Sequence, residues 1–323
     1  MKRQRGVALI TVLLVVAVVT VVCAGLIARQ QLAIRSSANL LNVRQAWHYA
    51  MGGETLAKAL LLRDLRQGDP RQPVDHLGEA WARPQAPFKL DEGGELRVRI
   101  EDPSGRFNLN SLVRQGQVNA RAVAQFRRLL LRLDIEQPYA ERLQDWLDVD
   151  QEPSGAFGAE DNQYLLAKPA YRAANQLLRD VSELRLLLGM NEADYRRLLP
   201  YVSALPADAT LNVNTASALV LSSLADGLTP SVAQGLLAMR GSEGFLSADS
   251  FRGLAPLAGL GVQKEDVAVG TNYFQVVSEV RVGDRRQVLV SSLQRAEDGR
   301  LRVLARDLGQ AGSAPAPIKE SGQ

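Results

Sequence analysis

The residues best suited to chemistry lie between Asp145 and Leu165, in the string DWLDVDQEPSGAFGAEDNQYL. Asp145 and Asp148, three positions apart, share one face of a helix, and Asp150, Glu152, Glu160, Asp161 and Asn162 follow on a loop bearing proline and glycine. Carboxylates this dense repel one another unless they are solvated, paired or bound to a cation. Several oxygen ligands on an irregular segment suit Ca2+, whereas Zn2+ would favour His or Cys. The spacing is not that of an EF-hand. From the residues alone two readings stay open, a solvated acidic loop and a calcium site.

Catalysis fits less well. Paired carboxylates serve as general acid and base in glycosidases, but these are close in sequence and read as one exposed loop, where the sequence shows no sign of an apolar pocket to raise one pKa. Only His48 and His76 are present, Ser104-Gly105 and Ser154-Gly155 do not complete a G-x-S-x-G elbow, and neither a P-loop nor G-x-G-x-x-G occurs. No nucleophile is matched with a base, so the expectation is a protein that is not an enzyme. Cys23 is the single cysteine, which excludes an intrachain disulfide and a zinc site built from four cysteines. The net charge of +3 rests on Lys2, Arg3 and Arg5, without which basic and acidic residues balance. No general basic surface argues for nucleic acid.

The elements that must position the acidic loop begin with a membrane span. Val7 to Ala28 are 22 residues without a charge, and as a helix they reach roughly 33 Å, enough to cross a bilayer. The basic residues precede this run, which places the N-terminus in the cytoplasm and the bulk of the chain on the far side. From Ala28 to Leu65 no proline occurs, and Ala46, Tyr49, Ala50, Leu56 and Leu60 fall at helical spacings. One helix of roughly 55 to 60 residues is expected, with a bend at Gly52-Gly53. Residues 67–88 read as loop, and Gly94 to Ile100 alternates as a half-buried strand. Tyr273 to Val282, Gln287 to Gln294 and Leu301 to Arg306 repeat that pattern around GDRR and EDGR turns. Between them lie about 170 residues that read almost wholly helical by period. The simplest arrangement for the 323 residues is an α+β domain whose sheet is interrupted by an all-α insertion, followed by a flexible tail over 309–323.

The insertion holds an internal echo. Phe107-Asn108-Leu109-Asn110-Ser111-Leu112 and Leu211-Asn212-Val213-Asn214-Thr215-Ala216 each precede a helical pair, and the second Asn of each suits helix N-capping. The second unit, residues 208–256, resembles the helix-hairpin-helix of competence-type DNA receptors in its asparagine pair, Ala233, Arg240, Gly244-Phe245 and Phe251. Its hairpin position reads Asp226-Gly227-Leu228-Thr229-Pro230 instead of Gly-hydrophobic-Gly, and cations are scarce nearby. Phosphate binding is therefore not expected there, and a packing scaffold is.

The basic leader ending at Gly6, with a long apolar helix after it, resembles the class III signal of type IV pilins and type II secretion pseudopilins. Within that group Thr11, where a glutamate is usual, resembles the K-type minor pseudopilin, as do W-L-D-x-D at Trp146 to Asp150, the G-A-E at Gly158 to Glu160, and NVNTA at Asn212 to Ala216. The resemblance implies a pseudopilin fold, a long helix packed on a small antiparallel sheet. It divides the chain into a leader (1–6), the transmembrane part of the helix (7–28), its periplasmic part (29–66), a first α/β part (67–107), the helical insertion (108–268) and closing strands (269–308). It implies cleavage between Gly6 and Val7 by a prepilin peptidase, with N-methylation of Val7. It also implies calcium held by Asp148, Asp150 and Glu160, with Asp161 and Asn162 beside them. The implied location is the bacterial inner membrane, single-pass, with the C-terminal domain periplasmic. The implied role is to cap the pseudopilus tip with the I-type and J-type minor pseudopilins and prime its assembly, with other pseudopilins, secreted substrates and the outer-membrane secretin as further contacts. Ala46, Ala50 and Ala57 are expected to face neighbouring helices, with burial against the chain's own sheet as the alternative for one face. A type IV pilus minor pilin and a membrane-anchored DNA-binding protein are the alternatives.

Overall fold

The computed structural model describes residues 5–69, 71–90, 93–283 and 285–308, with side chains from residue 8 onward. Leader residues 1–4, the side chains of Arg5 and Val7 and the surroundings of Gly6, Asp284 of GDRR, and the tail 309–323 lie outside the described residues. Helix α1 runs over Arg5–Gln67, 63 residues without a break. Its side chains are exposed from Ala8 through Arg44, and burial begins at Gln45. The first stretch carries the membrane-length apolar window.

Below that point α1 lies on a five-stranded antiparallel sheet made of β1 (Phe88–Leu90), β2 (Gly94–Glu101), β3 (Tyr273–Val282), β4 (Arg285–Arg295) and β5 (Leu301–Asp307), in that spatial order. β2 pairs directly with β3, Gly94 opposite Val282 and Glu101 opposite Gln275, so the whole insertion leaves and re-enters between two neighbouring strands. The inner face offers Leu96, Val98, Ile100, Phe274, Val276, Val280, Leu289 and Leu293 to α1. The outer face is a ladder of ion pairs, such as Arg97 with Glu95 and Arg286 with Glu279, which suits water.

The contact between α1 and the sheet corrects the expectation for the small residues and gives the glycine pair a role. Ala46, Ala50 and Ala57 are buried against the chain's own sheet and are not available to neighbouring helices. The glycine pair does not interrupt the helix. A Cβ at position 53 would come within 2.5 Å of Ser278 Oγ and 3.1 Å of Val98 Cγ2, so the helix lies close against the sheet at Gly53. Gly52 faces open space.

The insertion holds two further cores. The first gathers Phe107, Phe126, Leu129, Tyr139, Leu143, Trp146 and Leu184 from α2 (Ala120–Arg132), α3 (Tyr139–Leu147), α4 (Asp161–Tyr164), α5 (Glu192–Leu198) and intervening chain. The second gathers Val213, Leu221, Leu236, Phe245 and Phe251 around α6 (Ala218–Ser222), α7 (Pro230–Met239) and α8 (Ala248–Arg252). The insertion is less helical than its apolar period suggests, since residues 165–180 and 202–217 contain no α-helix. Leu178 and Val213 reach these cores from irregular backbone, where periodicity is no guide.

The asparagine echo marks a structural duplication. Phe107–Asn108 bridges Val202–Ser203 in parallel, and Leu211–Asn212 bridges Val267–Ala268 in the same way. Asn110 Nδ2 donates to the carbonyls of Leu178 and Leu205 while its Oδ1 accepts from the Leu178 N–H. Asn214 repeats the pattern on Phe245 and Val269. These second asparagines are staples between distant segments and not helix caps. The cap of α2 is Asn119, and that of α6 is Ser217.

Candidate metal centre

Helix α3 is anchored by Tyr139, Leu143 and Trp146, all buried, and Trp146 packs edge-on against Tyr164 of α4 at 5.2 Å. The connection from α3 to α4 is thereby held at both ends. Asp148 ends α3 as its C-cap, and Glu160 immediately precedes α4. Asp148, Asp150 and Glu160 each place a carboxylate oxygen within 4.8 Å of the others. Asp148 and Glu160 are only 5% and 1% exposed, and Asp150 is open to solvent.

Two of these side chains carry unmet demand. Asp148 Oδ1 and both oxygens of Glu160 are buried without a hydrogen-bond partner. Burial, followed by repulsion from Asp150 and Asp145, pushes the Asp148 carboxyl up to about 6. Burial, then the charges of Asp145, Asp148, Asp150 and Asp161, pushes Glu160 up to about 7. Buried carboxylates without donors are costly, and a divalent cation would satisfy them all at once. An all-oxygen donor set on a loop suits Ca2+.

The structure brings together the trio and leaves out the other two expected residues. Asp161 turns away to Arg172 at 3.3 Å and to the Ala173 N–H at 3.0 Å, while Asn162 is exposed on α4. Asp145, which shares a helix face with Asp148, is completely buried and accepts backbone N–H bonds from Ser154 and Ala159.

A second carboxylate group has no signature in the sequence. Asp64 on α1 meets Asp75 and Glu79 from the following loop within 4.8 Å. Arg295 of β4 donates to both oxygens of Asp75, and Glu79 accepts from Trp81 Nε1 and the His76 N–H. Burial and then the Asp75 charge raise Asp64 to about 6, and burial is the main reason that Glu79 rises to about 7. Asp75 and Arg295 are 220 positions apart, so no local pattern announces the pair.

The helix-hairpin-helix resemblance takes its meaning from α2. Arg128 donates to the Ser223 and Leu224 carbonyls at 2.7 and 3.0 Å and pairs with Asp226 at 3.2 Å, and Arg132 donates to the Leu228 carbonyl. The hairpin therefore turns carbonyls and a carboxylate toward arginines of the first helical unit, the reverse of the array that phosphate needs. At the other end, the Thr11 hydroxyl donates to the Ala8 carbonyl within α1.

A membrane-length helix continues onto a small antiparallel sheet, with two helical units inserted between adjacent strands, which is the architecture that the pseudopilin resemblance implies. Residues 105–207 and 211–272 match two family models of the type II secretion system (T2SS), protein K, and these intervals coincide with the two helical cores. A type II secretion system protein K of Pseudomonas aeruginosa is 65% identical, with 99% of this chain and 97% of that protein aligned. One of Aeromonas hydrophila is 34% identical over 96% of this chain and 98% of its own. The crystal structure of the GspK-GspI-GspJ complex from enterotoxigenic Escherichia coli contains a chain that matches with TM-score 0.75 and 28% identity, covering 85% of this chain and 99% of that one. The chain belongs to the type II secretion system protein K family and is a minor pseudopilin of that apparatus. The type IV pilus and DNA-receptor alternatives are set aside on this ground.

Proposed function

We propose that this minor pseudopilin caps the periplasmic pseudopilus in a complex with the I-type and J-type minor pseudopilins and primes its growth. The observation that carries this is the match to a chain of the GspK-GspI-GspJ complex over nearly that chain's full length. The two helical units add bulk beside the sheet, which suits a terminal subunit better than one packed within a filament. The exposed stretch of α1 from Ala8 supplies the membrane anchor and the surface for other pseudopilins. In this reading the N-terminus is cytoplasmic, the sheet and helical units are periplasmic, prepilin peptidase cuts between Gly6 and Val7, and Val7 is N-methylated. Thr11 in place of a carboxylate accords with a subunit that has none above it to neutralise. Exported proteins and the secretin are the contacts beyond the tip.

Asp148, Asp150 and Glu160 hold calcium in this reading. The ion neutralises a cluster that is otherwise buried without donors, and its role is structural.

Two measurements test the assignment. The intact mass of the chain from membranes is expected to show loss of residues 1–6 and gain of one methyl group only when prepilin peptidase is present, and an uncut chain would refute the processing. Detergent-solubilised chain mixed with I-type and J-type partners is expected to co-elute on a sizing column. Separate elution at micromolar concentration would refute the tip complex.

A further inference from the structure

Asp145 is a fully buried carboxylate whose oxygens lie outside the trio that converges on the candidate ion site. Its bonds go elsewhere. The Ser154 N–H donates to Oδ1 and Oδ2 at 3.0 and 3.1 Å, and the Ala159 N–H donates to Oδ2 at 2.7 Å. One side chain at the end of α3 thus gathers two points of the loop, five residues apart, and the second is adjacent to Glu160. Burial raises the Asp145 carboxyl, and the bonds from Ser154 and Ala159 oppose that rise by favouring the ionised form.

At Gly158 the loop passes too close to Asp145 for a side chain. A Cβ at Gly158 would collide with Asp145 Oδ2 and with the Ser154 nitrogen. The Gly158 φ of −63° is open to any residue, so the requirement is steric and not conformational. Gln144 Nε2 adds a bond to Ser154 Oγ, and Asn175 Nδ2 holds the Asp150 carbonyl at 2.9 Å.

We propose that Asp145 is the positioning residue of the ion site: it binds no ion itself, and it folds residues 150–159 so that Glu160 is delivered opposite Asp148 before any ion arrives. This rests on the reading of Asp148, Asp150 and Glu160 as a calcium site. Independent support for a ligand there comes from the buried, unpartnered oxygens of Glu160 and Asp148. Outer-shell groups of this kind typically alter metal affinity by about 10- to 100-fold.

The test compares detergent-solubilised full chain as wild type, Asp145→Asn, Gly158→Ala and Glu160→Gln. Calcium affinity is read by calorimetry, and backbone amide exchange across 150–160 is read in chelator, where no ion contributes. Asp145→Asn and Gly158→Ala are expected to speed exchange at Ser154 and Ala159 in chelator and to weaken calcium binding about 10- to 100-fold. Glu160→Gln is expected to weaken calcium binding while those amides keep wild-type protection. Weakened calcium binding in Asp145→Asn with unchanged amide exchange would make Asp145 a direct ligand and overturn the proposal. Unchanged affinity in both loop variants would overturn it as well. Wild type that binds no calcium would instead overturn the site on which it rests, an outcome distinct from the other two. Because the exchange comparison is confined to one loop, a variant that fails to fold is recognised by loss of protection throughout the sheet. Gly158→Ala keeps the proposal testable if Asp145→Asn is the one that fails.

Discussion

Glu160 and Asp148 are held in a way that would couple the proposed ion site to protons. Both carboxyls are raised, to about 7 and about 6, so each ionises more readily in the unfolded chain than in the folded one. Their sign follows from linkage: without metal, stability is full at low pH and is lost as pH rises from the ordinary carboxylate range through about 7. A bound cation removes that penalty, and below about pH 6 protons compete with it. Calcium is therefore expected to raise the melting temperature most near pH 8 and very little near pH 5. Melting in calcium and in chelator across that interval checks this, and a calcium effect independent of pH would count against the site. Replacing both residues, Asp148→Ala with Glu160→Ala, should lower the melting temperature in calcium but not in chelator.

At the scale of elements, α1 does two jobs along one rod. Its first part is apolar all round and long enough to cross a bilayer, and its last part presents Ala46, Ala50, Gly53, Ala57 and Leu61 to the sheet. The two adjacent glycines should then respond in opposite directions. Gly52→Ala adds a methyl group to open space and a better helix former, so it should stabilise by about 0.5–1 kcal/mol. Gly53→Ala forces a Cβ against Ser278 and Val98 and should cost about 1–3 kcal/mol. Thermal melting of the two variants side by side decides the matter, and equal shifts would mean that the helix does not approach the sheet at Gly53. Next to that contact, burial opposes ionisation of Glu54, but bonds from Arg306, Lys58 and Ser291 outweigh it and lower its pKa to about 2. This ties α1 to the outermost strand β5.

Among the described residues three cores form beyond the exposed part of α1, and buried polar groups join them. Asp102 at the end of β2 accepts from Asn212 and Thr215 of the second helical unit, and Ser104 meets Thr271 at 2.7 Å. Arg295 joins the loop after α1 to β4 by pairing with Asp75, beside Asp64 and Glu79. Arg295→Ala would strand a buried carboxylate in an already acidic group and should cost about 3–5 kcal/mol near neutral pH. Since burial raises the neighbouring Asp64 and Glu79 carboxyls to about 6 and about 7, these two are neutralised as pH falls, and the deficit should narrow toward about pH 5. Denaturant unfolding of wild type and variant at the two pH values measures it, and a deficit unchanged by pH would assign the loss to packing instead of charge.

The sequence by itself determined what local order can encode. The uncharged run marks the membrane-length helix, period two marks β2 to β5 to within a few residues, and the acidic run marks the loop, within which only the family resemblance singles out Asp148, Asp150 and Glu160. The short edge strand β1 lay at the end of the stretch read as loop, because three residues are too few to show alternation. What only the tertiary structure decided are contacts made across long chain separations. It buried Ala46, Ala50 and Ala57 against the sheet, sent Asp161 to Arg172, made Asn110 and Asn214 staples, and docked the hairpin on Arg128. It also assembled Asp64, Asp75, Glu79 and Arg295. The physical reason is that a helical period reports that a face is apolar but not what covers it, and a polar residue's type shows that it can make a bond but not with which distant partner.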